Sequence, residues 1–207
     1  MGTDTITDSD GRAARRARIE AAAYAVLEAR GYAGTSMLAV AKAARASNET
    51  LYRWYGDKTG LFAALIAGNA ERVRTVLEDA AVDGTDPIAT LDTLGPCLLD
   101  CLLGDRAVAL NRAAAADPTG ELGAVLAKTG RDRIAPMIAD VLDRLRADGR
   151  ITYDAPGEAA DLYIALLVGD RQIRRVAAHL PPPSEAERTR IARLARDRLL
   201  DLLSPTR

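Results

Sequence analysis

Apolar residues recur at helical spacing along most of the chain, and short breaks rich in Gly, Pro, Ser, Thr and Asp separate the runs. Between Arg12 and Arg30, Ile19, Ala22, Ala23, Val26 and Leu27 define one apolar face, and Gly31 follows as a stop. Thr35 and Ser36 can cap a short second helix, Met37 to Ala44, with Leu38, Val40 and Ala41 facing inward. Ser47 offers the cap for a third short helix ending near Trp54. Asp57 caps a fourth that runs past Leu61, Phe62, Leu65, Ile66, Val73 and Leu77.

Beyond the break Val82-Asp-Gly-Thr-Asp-Pro, Asp86 as cap and Pro87 at the first helical position predict a helix to about Leu103. Gly104-Asp105 ends it, and a further helix is expected from Arg106 to Ala116. Asp117-Pro-Thr-Gly precedes a long helical run, Glu121 to Arg146, in which Pro136 predicts a kink or boundary nearby. Gly157 to about Ala177 reads as one helix with Leu162, Ala165, Leu166, Gly169, Ile173 and Val176 on a stripe. After Pro181-Pro-Pro, Ser184 and Glu187 form a capping box for a last helix carrying Ile191, Leu194, Arg198, Leu199, Leu202 and Leu203. Ala and Leu supply most of the hydrophobic 48%, and aromatics make up only 4%, which favours helix over strand. The expected fold class is all-α, with residues 1–11 a disordered tail, 12–56 a three-helix unit and 57–207 a helical body.

The formal net charge of −1 hides an asymmetry, because residues 12–60 hold nine Lys and Arg against four acids. A basic amino-terminal unit on an acidic body suits a part that meets phosphates, although a solvated helix face gives the same count. Cys97 and Cys101 are the only cysteines, four apart in an apolar stretch. They read as core residues, not a disulfide framework, and with His179 far away they make a poor zinc site, so no metal and no cofactor is expected. No long uncharged apolar stretch or signal core is present. The expected compartment is the cytoplasm, with no membrane partner.

A short capped helix, a four-residue turn and a second short helix with a polar start is the geometry of a helix-turn-helix, although any three-helix packing can produce similar signals. The second helix would present Ser47, Asn48, Glu49, Thr50 and Tyr52 to base edges in the major groove, while helix starts at Ser36 and Asp57 point amides at phosphates. Ser47 can equally be only a cap, and Tyr52 can bury its ring. Ala21-Ala22, Gly31-Tyr32, Thr35-Ser36, Ala43-Ala44-Arg45-Ala46-Ser47, Thr50-Leu51-Tyr52, Trp54-Tyr55, Lys58 and Leu61-Phe62 resemble, in order and spacing, the amino-terminal signature of the TetR family. Asp161-Leu-Tyr-Ile-Ala-Leu-Leu-Val-Gly-Asp-Arg, followed by Pro182-Pro183-Ser184, resembles the carboxy-terminal domain of AefR-like members.

The resemblance implies a transcriptional repressor that binds a double-stranded palindromic operator as a homodimer and is released by a small-molecule effector. It implies DNA contacts among Thr35, Ser36, Arg45, Ser47, Asn48, Glu49, Thr50, Tyr52, Trp54 and Lys58, with Lys58 as a phosphate ligand. Pairing of the last two helices with those of a second subunit implies a dimer surface from Leu162, Leu166, Gly169, Ile173, Ile191, Leu194, Leu199 and Leu202, although an apolar stripe is ordinarily core. Arg45 departs from the family glycine and Trp54-Tyr55 from the usual His-Phe pair. Soft or polar side chains inside apolar helices, Cys97, Cys101, Asn111, Met137 and Tyr163, are the candidate effector contacts, and core packing is the competing reading of each. With no Gly-rich phosphate loop, no nucleophile beside a base and a lone histidine, no catalytic residue is expected. A helical protein-interaction module is the other alternative.

Overall fold

The computed structural model describes residues 4–155, 157–177 and 180–205. Eleven α-helices account for most of them, and no strand occurs among the described residues. His179 and residues 1–3 lie outside the described residues. The helix α1, Asp4–Gly34, takes in most of the segment expected as a tail, since no proline interrupts it, and its backbone leaves helical geometry at the expected stop, Gly31 (φ 67°). Next come α2 (Met37–Ala43), α3 (Asn48–Tyr55), α4 (Lys58–Val82), α5 (Pro87–Leu103) and α6 (Asp105–Ala115).

The run expected as one helix from Glu121 to Arg146 is instead α7 (Glu121–Leu126), a π-helical turn (Ala127–Arg131) and α8 (Asp132–Ala147). The boundary expected near Pro136 falls just ahead of it, between Arg131 and Asp132. Pro136 is the fifth residue of α8, inside the helix, and the wider π turn with Gly130 immediately upstream absorbs the change of register that its missing amide demands. The helix expected over 157–177 is also two, α9 (Glu158–Val168) and α10 (Arg171–Val176), parted by Gly169 at φ 52° and ψ −134°, a combination that side-chain-bearing residues avoid. The last helix, α11 (Glu185–Leu202), opens on the expected capping box of Ser184 and Glu187.

The chain divides into two compact units, residues 1–65 with 109–125, and residues 66–108 with 126–207. The first therefore includes a segment that the sequence places in the body. Its core joins Ile19, Ala23, Val26 and Leu27 of α1 to Val40 and Ala41 of α2, Leu51 of α3 and Leu61 and Phe62 of α4. Leu38, expected inside, is 66% exposed. A seven-residue helix can turn only one narrow stripe inward, and Met37, Val40 and Ala41 at i, i+3 and i+4 fill it.

In the second unit, Val73 and Leu77 of α4, Leu91, Leu94, Leu98 and Leu99 of α5, Ile138 and Leu142 of α8, Tyr163 and Leu167 of α9, and Ile191, Ala195 and Leu199 of α11 share one core. Each fully buried large apolar side chain contributes about 1.5–3 kcal/mol. The close approach of α5 to α11 uses Gly95, where a Cβ would stand 2.6 Å from that of Ala192.

The carboxy-terminal end of α5 is closed by side chains from elsewhere. Asn69 donates its amide to the Cys101 carbonyl (3.0 Å), Gln172 to that of Leu102 (3.2 Å), and Arg175 Nε to that of Leu103 (2.9 Å). Arg175, 8% exposed, also donates to the Leu180 carbonyl (2.9 Å) and pairs with Asp105 (2.6 Å) in the first turn of α6. One guanidinium thus sits at the negative end of one helix dipole, and its carboxylate partner at the positive end of the next. Arg175→Met keeps bulk but removes every donor. It is expected to cost about 2–3 kcal/mol, a fall of roughly 5–10 °C in Tm, with helicity by circular dichroism retained below the transition. An unchanged Tm would show that the α5 carbonyls do not need this cap.

Candidate nucleic-acid interface

Two serines position the short helices. Ser36 Oγ accepts from the Ala39 amide (3.2 Å) to start α2, and Ser47 Oγ accepts from the Thr50 amide (3.1 Å) to start α3. Asp57 in the same way accepts from the Gly60 amide (2.7 Å) at the head of α4. Such caps each contribute about 1 kcal/mol, which matters for helices of seven and eight residues that cannot persist alone.

Between α2 and α3 the chain turns through Arg45, whose φ of 51° is the one positive value at a non-glycine among the described residues. Arg45, where the family has glycine, therefore takes the left-handed conformation that a glycine adopts without strain, at a cost of about 1–2 kcal/mol. The turn is closed by the Ala46 amide donating to the Ala41 carbonyl (2.9 Å).

The candidate residues separate into three groups. Ser36, Arg45, Ser47, Asn48, Glu49 and Tyr52 are exposed, and Asn48, Glu49, Tyr52 and Arg53 occupy one face of α3, with Tyr52 half in solvent. Arg53 and Lys42 join this exposed set without having been singled out, and Leu38 joins it against the expectation that it faces inward. Their signal was available, since a residue off the i, i+3, i+4 core stripe of a short helix must face out.

Thr35 and Thr50 form the second group, buried at 1% and 5% exposure. Thr35 donates to the Gly31 carbonyl (2.8 Å), and Thr50 exchanges a hydrogen bond with Ser47 (2.8 Å) and accepts one from Arg15 (3.3 Å). Both side chains brace the motif from inside, because threonine at a helix start finds backbone and cap partners within reach.

Lys58 and Trp54, the third group, are half-buried. Lys58 Nζ donates to the Tyr32 carbonyl (2.6 Å) and lies 3.7 Å from the Tyr32 ring centre. Burial lowers its pKa, against the opposing pull of Asp117. It ties the end of α1 to the start of α4, and Tyr32 in turn stands edge-on to Phe62 at 5.0 Å. Trp54 holds the guanidiniums of Arg12 and Arg15, each 5.7 Å from its ring centre. Such contacts contribute about 0.5–1 kcal/mol each at a partly exposed site.

The residues singled out in the body distribute less simply. Cys97 and Tyr163 are core residues, and Cys101 and Met137 pack against that core in the second unit. Asn111 belongs to the first unit and is not among them. Burial pushes the Cys101 thiol up to about 12, so it stays protonated at neutral pH. Of the apolar positions on the closing helices, Ile191 and Leu199 are buried against α5 and α9 in this same chain, because α11 turns the stripe Ile191, Ala192, Ala195 and Leu199 inward. Leu194, Leu202 and Ile173 are exposed, Leu162 and Leu166 partly so, and Gly169 is the exposed break.

A capped two-helix motif with one helix face held open to solvent defines a helix-turn-helix protein. Residues 19–65 match the bacterial regulatory proteins of the tetR family, and residues 89–201 match the carboxy-terminal domain of AefR-like transcriptional repressors. No curated protein matches the chain. A putative TetR-family transcriptional regulator from Mesorhizobium loti is 26% identical, with a TM-score of 0.72 over 93% of this chain and 98% of that one. A TetR transcriptional regulator from Agrobacterium tumefaciens is also 26% identical, with a TM-score of 0.71 over 91% and 94%. The flavonoid-responsive regulator FrrA is 24% identical, with a TM-score of 0.67 over 95% and 100%. The chain belongs to the TetR family of transcriptional regulators and has an AefR-like carboxy-terminal domain. No single helix among the described residues is long and apolar enough to cross a membrane.

The turn supplies a test of its own. Arg45→Gly relieves the left-handed strain but adds unfolded-state freedom worth about 0.5–1 kcal/mol, so a net gain of roughly 0.5 kcal/mol is expected. Arg45→Val should lose about 1 kcal/mol or more. Urea midpoints at unchanged m-value read both, and a less stable glycine variant would contradict the strain.

Proposed function

We propose that this regulator is a repressor that binds a palindromic operator as a homodimer and leaves it when a small molecule occupies the second unit. The observation that carries the reading is the outward face of α3, where Asn48, Glu49, Tyr52 and Arg53 are exposed while Ser47 and Thr50 lock the helix start. An amide, a carboxylate, a phenol and a guanidinium on one helix face offer donors and acceptors to base edges. Asn48 suits the paired donor and acceptor of adenine, Arg53 the two acceptors of guanine, and Glu49 the amino group of cytosine. Thr35, Thr50 and Lys58 leave the contact set in this reading and keep the motif's shape.

Asn48→Ala and Tyr52→Ala should each reduce affinity for the operator by about 1–3 kcal/mol. Binding to an unrelated duplex should hardly change. Quantitative gel shifts on both duplexes decide it, and equal losses on the two would assign these side chains to the phosphate backbone instead.

The dimer surface in this reading is the exposed set Ile173, Leu194 and Leu202 with the partly exposed Leu162 and Leu166, since apolar side chains left in solvent at helical spacing mark an association surface. Leu194→Glu with Leu202→Glu should yield a folded monomer by sedimentation, with operator affinity reduced at least tenfold because two half-sites are no longer held together. A dimer unaffected by both changes would place the interface elsewhere.

For the effector, the interior of the second unit argues an apolar or amphipathic molecule, with Cys97, Cys101, Met137 and Tyr163 as polarisable and polar positions in a core that is aliphatic apart from these and Tyr153. Two structural neighbours that share the fold are named with molecules of that kind. FrrA is flavonoid-responsive, and a FadR from Bacillus subtilis, 14% identical with a TM-score of 0.65 over 88% of this chain and 96% of that one, was crystallised with stearoyl-CoA. A molecule that acts must bind the non-operator state better than the operator state, or it shifts nothing.

A further inference from the structure

The first unit carries a second feature beside the outward face of α3. Arg12 and Arg16 of α1 and Arg53, Trp54 and Tyr55 of α3 line a cleft of about 200 Å³. Arg15 stands at its edge, and both Arg12 and Arg15 lie over the Trp54 ring. Glu20, bonded to Arg16 at 3.0 Å, is the carboxylate paired with this group of four guanidiniums. Two buried polar atoms here meet no partner at hydrogen-bond geometry among the described residues, Nε of Arg15 and the hydroxyl of Tyr55, whose residue is 9% exposed and which has the Arg16 guanidinium, a donor only, close beside it.

One carboxylate against four guanidiniums leaves this chemistry short of acceptors. A guanidinium has only donors, and the Tyr55 hydroxyl, walled in beside Arg16, needs an oxygen to donate to. Like charges held this close favour an anion with several acceptor oxygens, and a phosphodiester supplies two free oxygens that guanidinium forks match. Arg53 belongs both to the cleft and to the exposed face of α3, so whatever fills the cleft lies beside whatever that face touches.

We propose that the cleft between α1 and α3 receives a backbone phosphate of duplex DNA next to the bases faced by α3, with Arg12, Arg16 and Arg53 as its ligands and Trp54 as the platform that holds the arginines. The proposal rests on the DNA-binding reading above and adds a contact that none of the helix-turn-helix side chains expected from the family supplies. It also accounts for Trp54 and Lys58. Lys58 is spent on Tyr32, and the indole acts through the guanidiniums it carries, not through its own donor.

The test compares the full-length wild type with Arg12→Gln/Arg16→Gln and with the charge-preserving Arg12→Lys/Arg16→Lys. Each is titrated with a duplex selected by the wild type and with a scrambled duplex of equal length, over a series of salt concentrations. The glutamine pair should weaken both duplexes by about tenfold and flatten the slope of log K against log salt by about 0.9 for each phosphate lost. Discrimination between the duplexes should persist, and the lysine pair should keep most of the slope.

Trp54 is the single tryptophan, so intrinsic fluorescence reports the cleft directly. Its emission should change on duplex addition, at the concentrations that shift the gel, and hardly at all on millimolar inorganic phosphate. An unchanged salt slope in the glutamine pair, or emission that ignores bound duplex, overturns the proposal. Saturation by inorganic phosphate alone, with DNA affinity unaffected, replaces it with a free-anion site. A wild type that binds no duplex overturns the DNA reading itself, whereas a wild type that binds while both variants match it overturns only the cleft.

Discussion

Each break between helices in this chain leaves amides at one end and carbonyls at the other that must find partners, and Arg175 meets the largest such demand. It closes the Leu103 carbonyl at the end of α5, pairs with Asp105 at the start of α6 and holds the Leu180 carbonyl. Gly169 makes this possible. If α9 and α10 ran on as one helix, Ile173 and Val176 would continue its apolar stripe. Parted at Gly169, α10 turns Gln172 and Arg175, three residues apart on one face, to the carbonyls of Leu102 and Leu103, and leaves Ile173 outside. A buried guanidinium is tolerated because its donors meet carbonyls whose own alternative would be no partner at all.

The same constraint shapes the helix-turn-helix at smaller scale. Its two helices are too short to hold themselves, so Ser36, Ser47 and Asp57 supply acceptors to the first amides of three successive helices. Thr50 then ties Ser47 to Arg15, so the start of α3 is fixed from α1 as well as from its own cap. A face that reads bases has to be rigid, and here the rigidity comes from polar side chains behind it.

How legible these devices are depends on their sequence separation. Ser36, Ser47, Asp57, Asp86 with Pro87, and Ser184 with Glu187 act within three residues of themselves, and each cap can be read from the chain. Asn69, Gln172 and Arg175 reach across 32, 70 and 72 residues, and nothing local distinguishes them from surface side chains. The split at Gly169 was hidden for the same reason, since the glycine fell on an apolar stripe that looks continuous by period alone. Burial of Ile191 and Leu199 beside exposed Leu194 and Leu202 shows the limit of a stripe. Periodicity finds apolar faces on α11 but does not say which one meets its own chain.

The candidate interface was legible to a comparable degree. The exposed face of α3 follows from a cap and a period, whereas the inward turn of Thr35 and Thr50 and the engagement of Lys58 by Tyr32 depend on where α1 lies. That dependence also bears on the charge. The basic surplus of residues 12–60 looks evenly spread in sequence, yet four of its nine members, Arg12, Arg15, Arg16 and Arg53, gather around Trp54 and Tyr55, and Lys58 turns to Tyr32. Charge gathered on one side of the reading helix sets a direction of approach as well as an attraction, because the potential is strongest where the guanidiniums converge. A tryptophan is well placed to organise such a cluster: it is broad, carries no charge to oppose its neighbours, and offsets part of the repulsion between cations by attracting each to its ring.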